Sequence, residues 1–138
     1  MKSRDTLIRL KKFQVDEKRR KVAQIESMIA DFDRMAVDLE REIRVEQERA
    51  GIHDPGHFAY PTYAKAANQR RENIKRSADE LKVQLDAAKD ALADAFEELK
   101  KVEQLDERDR ERAAEEAQEH SDLDGIDLMR SRTSIPLA

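Results

Sequence analysis

Gly51-Ile52-His53-Asp54-Pro55-Gly56-His57-Phe58-Ala59-Tyr60 decides the fold, because it is the one internal cluster of chain-breaking residues in the first 120 of 138 positions. It holds two of the three glycines and one of the three prolines. Asp54-Pro55-Gly56 is a turn tripeptide, in which proline fixes its own φ and glycine accepts a positive one. Gly51 can take the left-handed conformation that closes a helix arriving from upstream, with Arg44 and Arg49 near the negative end of that helix's dipole. Pro61-Thr62 reads as the start of the next helix, since proline lacks an amide that the first turn could not use anyway.

Upstream of the break, a stripe that is apolar at all but two positions recurs in steps that alternate three and four: Ile8, Lys11, Val15, Lys18, Val22, Ile25, Ile29, Phe32, Ala36, Leu39, Ile43. A 3.5-residue period sustained over five heptads keeps one stripe turned toward a facing helix, as in a coiled coil. Ser3 or Asp5 supplies the N-cap through a short side-chain oxygen, giving a helix over about 5–50. Downstream the same alternation runs through Tyr60, Ala64, Ala67, Arg71, Ile74, Ala78, Leu81, Leu85, Ala88, Leu92, Ala95, Leu99 and Val102. Its small residues would let bulkier partners from the first seam approach closely. Beyond Val102 only Asp106, Asp109 and Ala113 continue the stripe, so helix is expected over about 61–118 on propensity and charge pairs, with a flexible tail at 121–138. The expected fold is all-α: two long helices in an antiparallel coiled-coil hairpin over 1–120, joined by a tip loop at 51–60.

Composition agrees with that layout. Charged residues make up 42 % of the chain and apolar residues 38 %, with six aromatics and no tryptophan, which is too little to fill a conventional globular core. The scarcity of glycine and proline argues equally against disorder and against a strand-and-turn fold. With no cysteine there is no disulfide, thiolate nucleophile or thiolate metal site, and the chain suits a reducing compartment. No apolar run approaches the roughly 18–20 residues that span a bilayer, and the first residues lack the apolar stretch and cleavage site of a signal peptide. A cytoplasmic protein is expected.

Charge also chooses the register. Folding about residue 55 or 56 lays 2–21 beside 90–109. The first stretch carries nine basic and three acidic residues, net +6, and the second eight acidic and three basic, net −5. Flanking charges select partner and orientation in coiled coils, whereas each exposed pair contributes under about 1 kcal/mol, so charge chooses the arrangement and seam burial holds it. A parallel homodimer through the first helix is the competing architecture.

Candidate chemistry is sparse. His53 and His57 flank Asp54 at helical spacing, but Pro55-Gly56 breaks the helix that would align them, and no third metal ligand is fixed nearby. Asp122, Asp124, Gly125 and Asp127 depart from the calcium-loop pattern, which needs glycine sixth and glutamate twelfth. The carboxylates recur at solvent-facing helical positions and have no pocket walls to perturb them, and no glycine-rich phosphate loop is present, so neither an enzyme nor a cofactor is expected. The net charge of −4 selects neither nucleic acid nor membrane, and the basic first stretch is matched by the acidic one. Phe58, Tyr60 and Tyr63 crowd the tip, either as a plug closing the coil or as a partner anchor.

Several strings resemble the FliJ family of flagellar export proteins. They are the basic opening Leu7-Ile8-Arg9-Leu10-Lys11, Tyr63 and Ile74 in the second helix, and Glu98-Leu99-Lys100-Lys101-Val102-Glu103-Gln104-Leu105 with Arg108. The closing Asp122-Leu123-Asp124-Gly125-Ile126-Asp127-Leu128-Met129-Arg130 is the last. The resemblance implies a non-enzymatic coiled-coil stalk of the flagellar type III export apparatus, lying at the cytoplasmic face of the flagellar base. In that family the termini insert into the ring of the hexameric export ATPase and promote its assembly and activity. The protein also contacts the cytoplasmic domain of the export-gate membrane protein and escorts export chaperones, meeting the membrane only through that apparatus and no nucleic acid. On this basis Lys11, Lys12, Arg19, Arg20, Lys21, Lys100 and Lys101 would meet the ATPase ring, and Leu39, Ile43, Tyr60 and Tyr63 the gate. The chain departs from the family pattern at Glu46 and Arg49, where late tyrosines are usual, and at Ala66, where a phenylalanine is frequent. The alternative is a coiled-coil scaffold or spacer unrelated to secretion.

Overall fold

The computed structural model describes the backbone of residues 2–133 and the side chains of residues 4–126. Two helices account for almost all of it: α1, Lys2–Ala50, and α2, Thr62–Thr133. The chain is all-α, with no strand among the described residues. It divides into two compact units, Phe13–Ala95 and Met1–Lys12 with Phe96–Ala138. The physical difference between the units is that both clusters of buried apolar side chains lie in Phe13–Ala95, while charge dominates the helix contacts of the other.

Phe13–Ala95 is a helical hairpin built on the two seams. Val15, Val22, Ile25, Ala36, Leu39 and Ile43 of α1 are buried, as are Ala64, Ala67, Ile74, Ala78, Leu81, Ala88 and Ala95 of α2. Ala36, Leu39 and Ile43 cluster with Ala67 and Ile74; Val22 and Ile25 cluster with Leu81 and Ala88. Ala64 is 0 % exposed, so a methyl group is all the space between the helices admits there. Lys18 departs from the seam pattern and is exposed, which a long amphipathic side chain achieves by carrying its ammonium out to water.

The tip follows local chemistry. Gly51 has φ +67°, the only positive φ among the described residues, and ends α1 as the sequence leads one to expect. The Asp54 carbonyl accepts from the His57 amide (3.0 Å), and Asp54 Oδ1 accepts from the Gly56 amide (2.9 Å), an Asx turn that leaves Gly56 without positive φ. The Pro61 carbonyl accepts from the Lys65 amide at 3.0 Å, so Pro61 caps α2 and Thr62 is its first helical residue.

In the other unit the two helix ends pair antiparallel. Arg4 is ion-paired with Asp109, and Lys11 Nζ with Glu98 Oε2 at 2.9 Å, which is the register that folding about residue 55 or 56 sets. α1 begins at Lys2, so Asp5 lies in the first turn rather than before it, where its charge complements the helix dipole. α2 continues past the expected end at about 118 to Thr133. Two (i, i+4) contacts bridge the segment expected to fray: Gln118 Nε2 donates to Asp122 Oδ1 (3.1 Å), and His120 Nε2 lies 3.7 Å from Asp124. Gly125 is carried inside the helix at a cost of about 1 kcal/mol relative to alanine. Of the expected tail, residues 134–138 lie outside the described residues.

Candidate functional site: two contact surfaces

Each unit presents one surface that sequence reasoning points to. In the unit of paired helix ends, an open groove runs between Asp5, Arg9 and Lys12 of α1 and Glu103, Asp106 and Arg110 of α2. Its floor is unusual for a helix pair: Asp106 is 9 % exposed at a seam position, held by Arg110 Nε at 3.0 Å. Arg110 also approaches Asp5 at 3.9 Å, so one guanidinium links the floor of the groove to the first turn of α1. Arg4 donates to the Leu105 carbonyl (3.3 Å) as well as pairing with Asp109.

The expected ring-contact lysines divide by role. Lys11 is half-buried and engaged by Glu98, whose carboxyl is held below its ordinary range first by that hydrogen bond and then by the lysine's charge. Lys12 lies exposed at the groove, and Lys100 and Lys101 are exposed on α2. Arg19, Arg20 and Lys21 belong to the Phe13–Ala95 unit, all exposed, and Lys21 lines a shallow groove with Lys18, Gln84 and Ala91.

The four residues expected at the gate do not form one surface. Leu39, Ile43 and Tyr60 are buried between the helices, and only Tyr63 is accessible, at 54 %. The reason is their seam position: an apolar side chain pointing at the facing helix is consumed by the core. Tyr60 closes the end of the seam as a plug, and its hydroxyl accepts from Gln47 Nε2 (2.9 Å) and Asn68 Nδ2 (2.8 Å), a three-residue polar lock across the two helices. Phe58, by contrast, is 96 % exposed and stacks on the His57 ring at 4.7 Å. His57 Nδ1 accepts from the Ala59 amide, so that nitrogen serves the turn.

Tyr63 heads the accessible surface of the tip region. Its hydroxyl donates to Glu42 Oε2 at 2.7 Å, and that hydrogen bond, reinforced by the charges of Glu42 and Glu46, raises the phenol above its ordinary pKa. Arg41, Val45 and Arg49 complete a groove beside it, in which Val45 is exposed. Sequence reasoning missed Val45, Gln47 and Asn68. Gln47 and Asn68 flank a seam tyrosine from opposite helices, which is the signal that could have found them. Among the described residues, no group of three side chains converges as a metal site, and no helix is long and apolar enough to cross a membrane. Comparison with family models, with curated proteins and with solved structures returned no match.

Proposed function

We propose that this chain is a non-enzymatic stalk and adaptor of the flagellar type III export apparatus, with its paired helix ends inserting into the hexameric export ATPase ring and promoting ring assembly and activity. The observation that carries the reading is the antiparallel pairing of the basic start of α1 with the acidic stretch of α2, through Arg4–Asp109 and Lys11–Glu98. That pairing uses Lys11 internally and leaves Lys12, Lys100 and Lys101 exposed as the cations that a ring lumen would meet. Paired helices suit this task, because each needs to bury only one stripe and keeps the rest of its surface for contact.

In this role the gate contact passes to Tyr63 and Val45, since Leu39, Ile43 and Tyr60 hold the hairpin together. Export chaperones would be met at the same apparatus, at the cytoplasmic face of the flagellar base. The test is activity of the hexameric export ATPase from the same organism in the presence of the purified chain. Stimulation at substoichiometric amounts is expected, weakened by the triple reversal of Arg20, Lys100 and Lys101 to glutamate. A rate indifferent to the wild-type chain would favour a scaffold unrelated to secretion.

A further inference from the structure

The two flanks of the Phe13–Ala95 hairpin are unlike, and the difference points outward. On one flank Glu40 faces Lys75, with Oε1 and Nζ 3.4 Å apart. Asp33 and Glu26 repeat the acid at seven-residue intervals back along α1, and Lys82 and Lys89 repeat the base forward along α2. Across that flank the ion pair is Glu40–Lys75, while Lys82 Nζ lies 3.7 Å from Asp79 of its own helix. The other α1 flank carries Lys21, Met28, Met35 and Glu42, again at seven-residue intervals, so all four project on one side of the helix. Met28 and Met35 remain 42 % and 41 % exposed there. On α2, Gln84, Ala87 and Ala91 line the groove beside Lys21, and seven-residue steps back from Gln84 place Ser77, Arg70 and Tyr63 on the same side.

We propose that this flank is a two-fold interface with a second copy of the chain, the two α1 helices lying antiparallel across it. The order of the four residues identifies both occupant and direction. Read along α1 it is cation, methionine, methionine, anion, an arrangement that complements itself only when reversed. Antiparallel pairing about the midpoint between residues 31 and 32 sets Met28 against the partner's Met35 and Lys21 against the partner's Glu42, and symmetry supplies each contact twice. Parallel pairing would instead set lysine on lysine and glutamate on glutamate. Glu42 already accepts from Tyr63 on Oε2, and a carboxylate has capacity for further donors, so the partner's ammonium adds to that bond without displacing it. Methionine, flexible and polarisable, suits a seam formed between copies.

The span sets the strength. From Lys21 to Glu42 is about 32 Å of helix, and a face two helices across is about 20 Å wide, or roughly 640 Å² a copy. The total of about 1,300 Å² lies at the low end of stable interfaces, so association in the micromolar range is expected, weakening with salt as the paired charges are screened. Lys21 is also among the residues expected at the ring and Glu42 lines the groove beside Tyr63, so the dimer is tested on the chain alone, where no export partner is present.

Sedimentation of the full chain over about 1–200 µM tests it, with a monomer–dimer equilibrium expected in that range. K21E and E42K should each weaken the dimer about tenfold or more, because each reversal places two pairs of like charges in contact, and the K21E/E42K double variant should recover it. Both positions are exposed, and circular dichroism at 222 nm verifies that the helices persist. The absence of cysteine permits a geometric check: on oxidation, a mixture of M28C and M35C chains should cross-link as the mixed pair. A monomer throughout the range would overturn the proposal. So would a dimer indifferent to the single reversals, a double variant no better than either one, or cross-linking of M28C to itself in preference to M35C.

Discussion

Arg71 puts a buried donor without a partner into the seam of the hairpin, and replacing it should strengthen the protein. It follows Ala67 and precedes Ile74 on the buried stripe of α2, where every neighbour on the stripe is apolar. Its Nε is shut away from water and has no hydrogen-bond partner, while a terminal nitrogen reaches Glu72 only at 3.5 Å. A buried donor without an acceptor costs about 1–3 kcal/mol. Leucine at this position removes the donor and keeps apolar bulk similar to the arginine stem, which already packs on the seam. The exposed pair with Glu72 contributes under about 1 kcal/mol, so Arg71→Leu should gain about 1–2 kcal/mol net. At this chain length that corresponds to a rise in Tm of roughly 3–8 °C. Urea melts followed at 222 nm should show a higher midpoint with unchanged slope, since the surface exposed on unfolding barely changes. Arg71→Lys is the control: it has a methylene where the orphaned donor stands, keeps the charge, and should be neutral or mildly stabilising. A loss of stability in both variants would refute the reasoning, because it would mean that the guanidinium has an acceptor.

Three further outcomes follow from the contacts of Tyr60, Tyr63 and Glu98. Tyr60→Phe leaves Gln47 and Asn68 without their shared acceptor and should cost about 1–2 kcal/mol in the same urea melt; an unchanged midpoint would mean that water replaces the hydroxyl. Glu42→Gln removes the charge that favours the neutral phenol, so ultraviolet titration should show Tyr63 moving back toward the ordinary tyrosine value of about 10. With its folded pKa raised, Tyr63 contributes stability that is complete below that ordinary value and lost as pH rises through the folded one, so the alkaline limb of a pH–stability curve should flatten in Glu42→Gln. Glu98 is the reverse case: its folded pKa is lowered, and its contribution is present above the ordinary glutamate range near 4 and lost as pH falls through the folded value. Glu98→Gln should therefore flatten the acid limb, and an acid limb identical to wild type would show that the Lys11 pair is silent in solution.

The seams were legible in the sequence because periodicity is a property of burial. Val15, Val22, Ile25, Ala36, Leu39 and Ile43 sit where a 3.5-residue period places them, and so do Ala64, Ile74, Ala78 and Leu81. The break was legible too, since Gly51 is the one described residue with a positive φ. The end of α2 was not, because beyond Val102 helix is sustained by local charge and amide contacts such as Gln118–Asp122, and these leave no apolar period to follow. The exposure of the candidate surfaces was half legible. A family resemblance assigns Leu39, Ile43 and Tyr60 outward roles, yet the pattern that makes them recognisable is the one that turns them inward. Val45, which does lie on the surface beside Tyr63, belongs to no period. The two amides that lock Tyr60 are likewise silent in sequence, being neutral, distant from one another and ordinary in composition.

The stoichiometry of ATPase stimulation tests the proposed role most directly. A stalk that occupies the lumen of a ring acts once per ring, so titrating the full chain, below the micromolar range in which it is expected to pair with itself, into a fixed amount of the hexameric export ATPase should raise the hydrolysis rate to a break at one chain per ring and hold it there. A rate that never changes, or one that climbs without a break far beyond that ratio, would contradict the role.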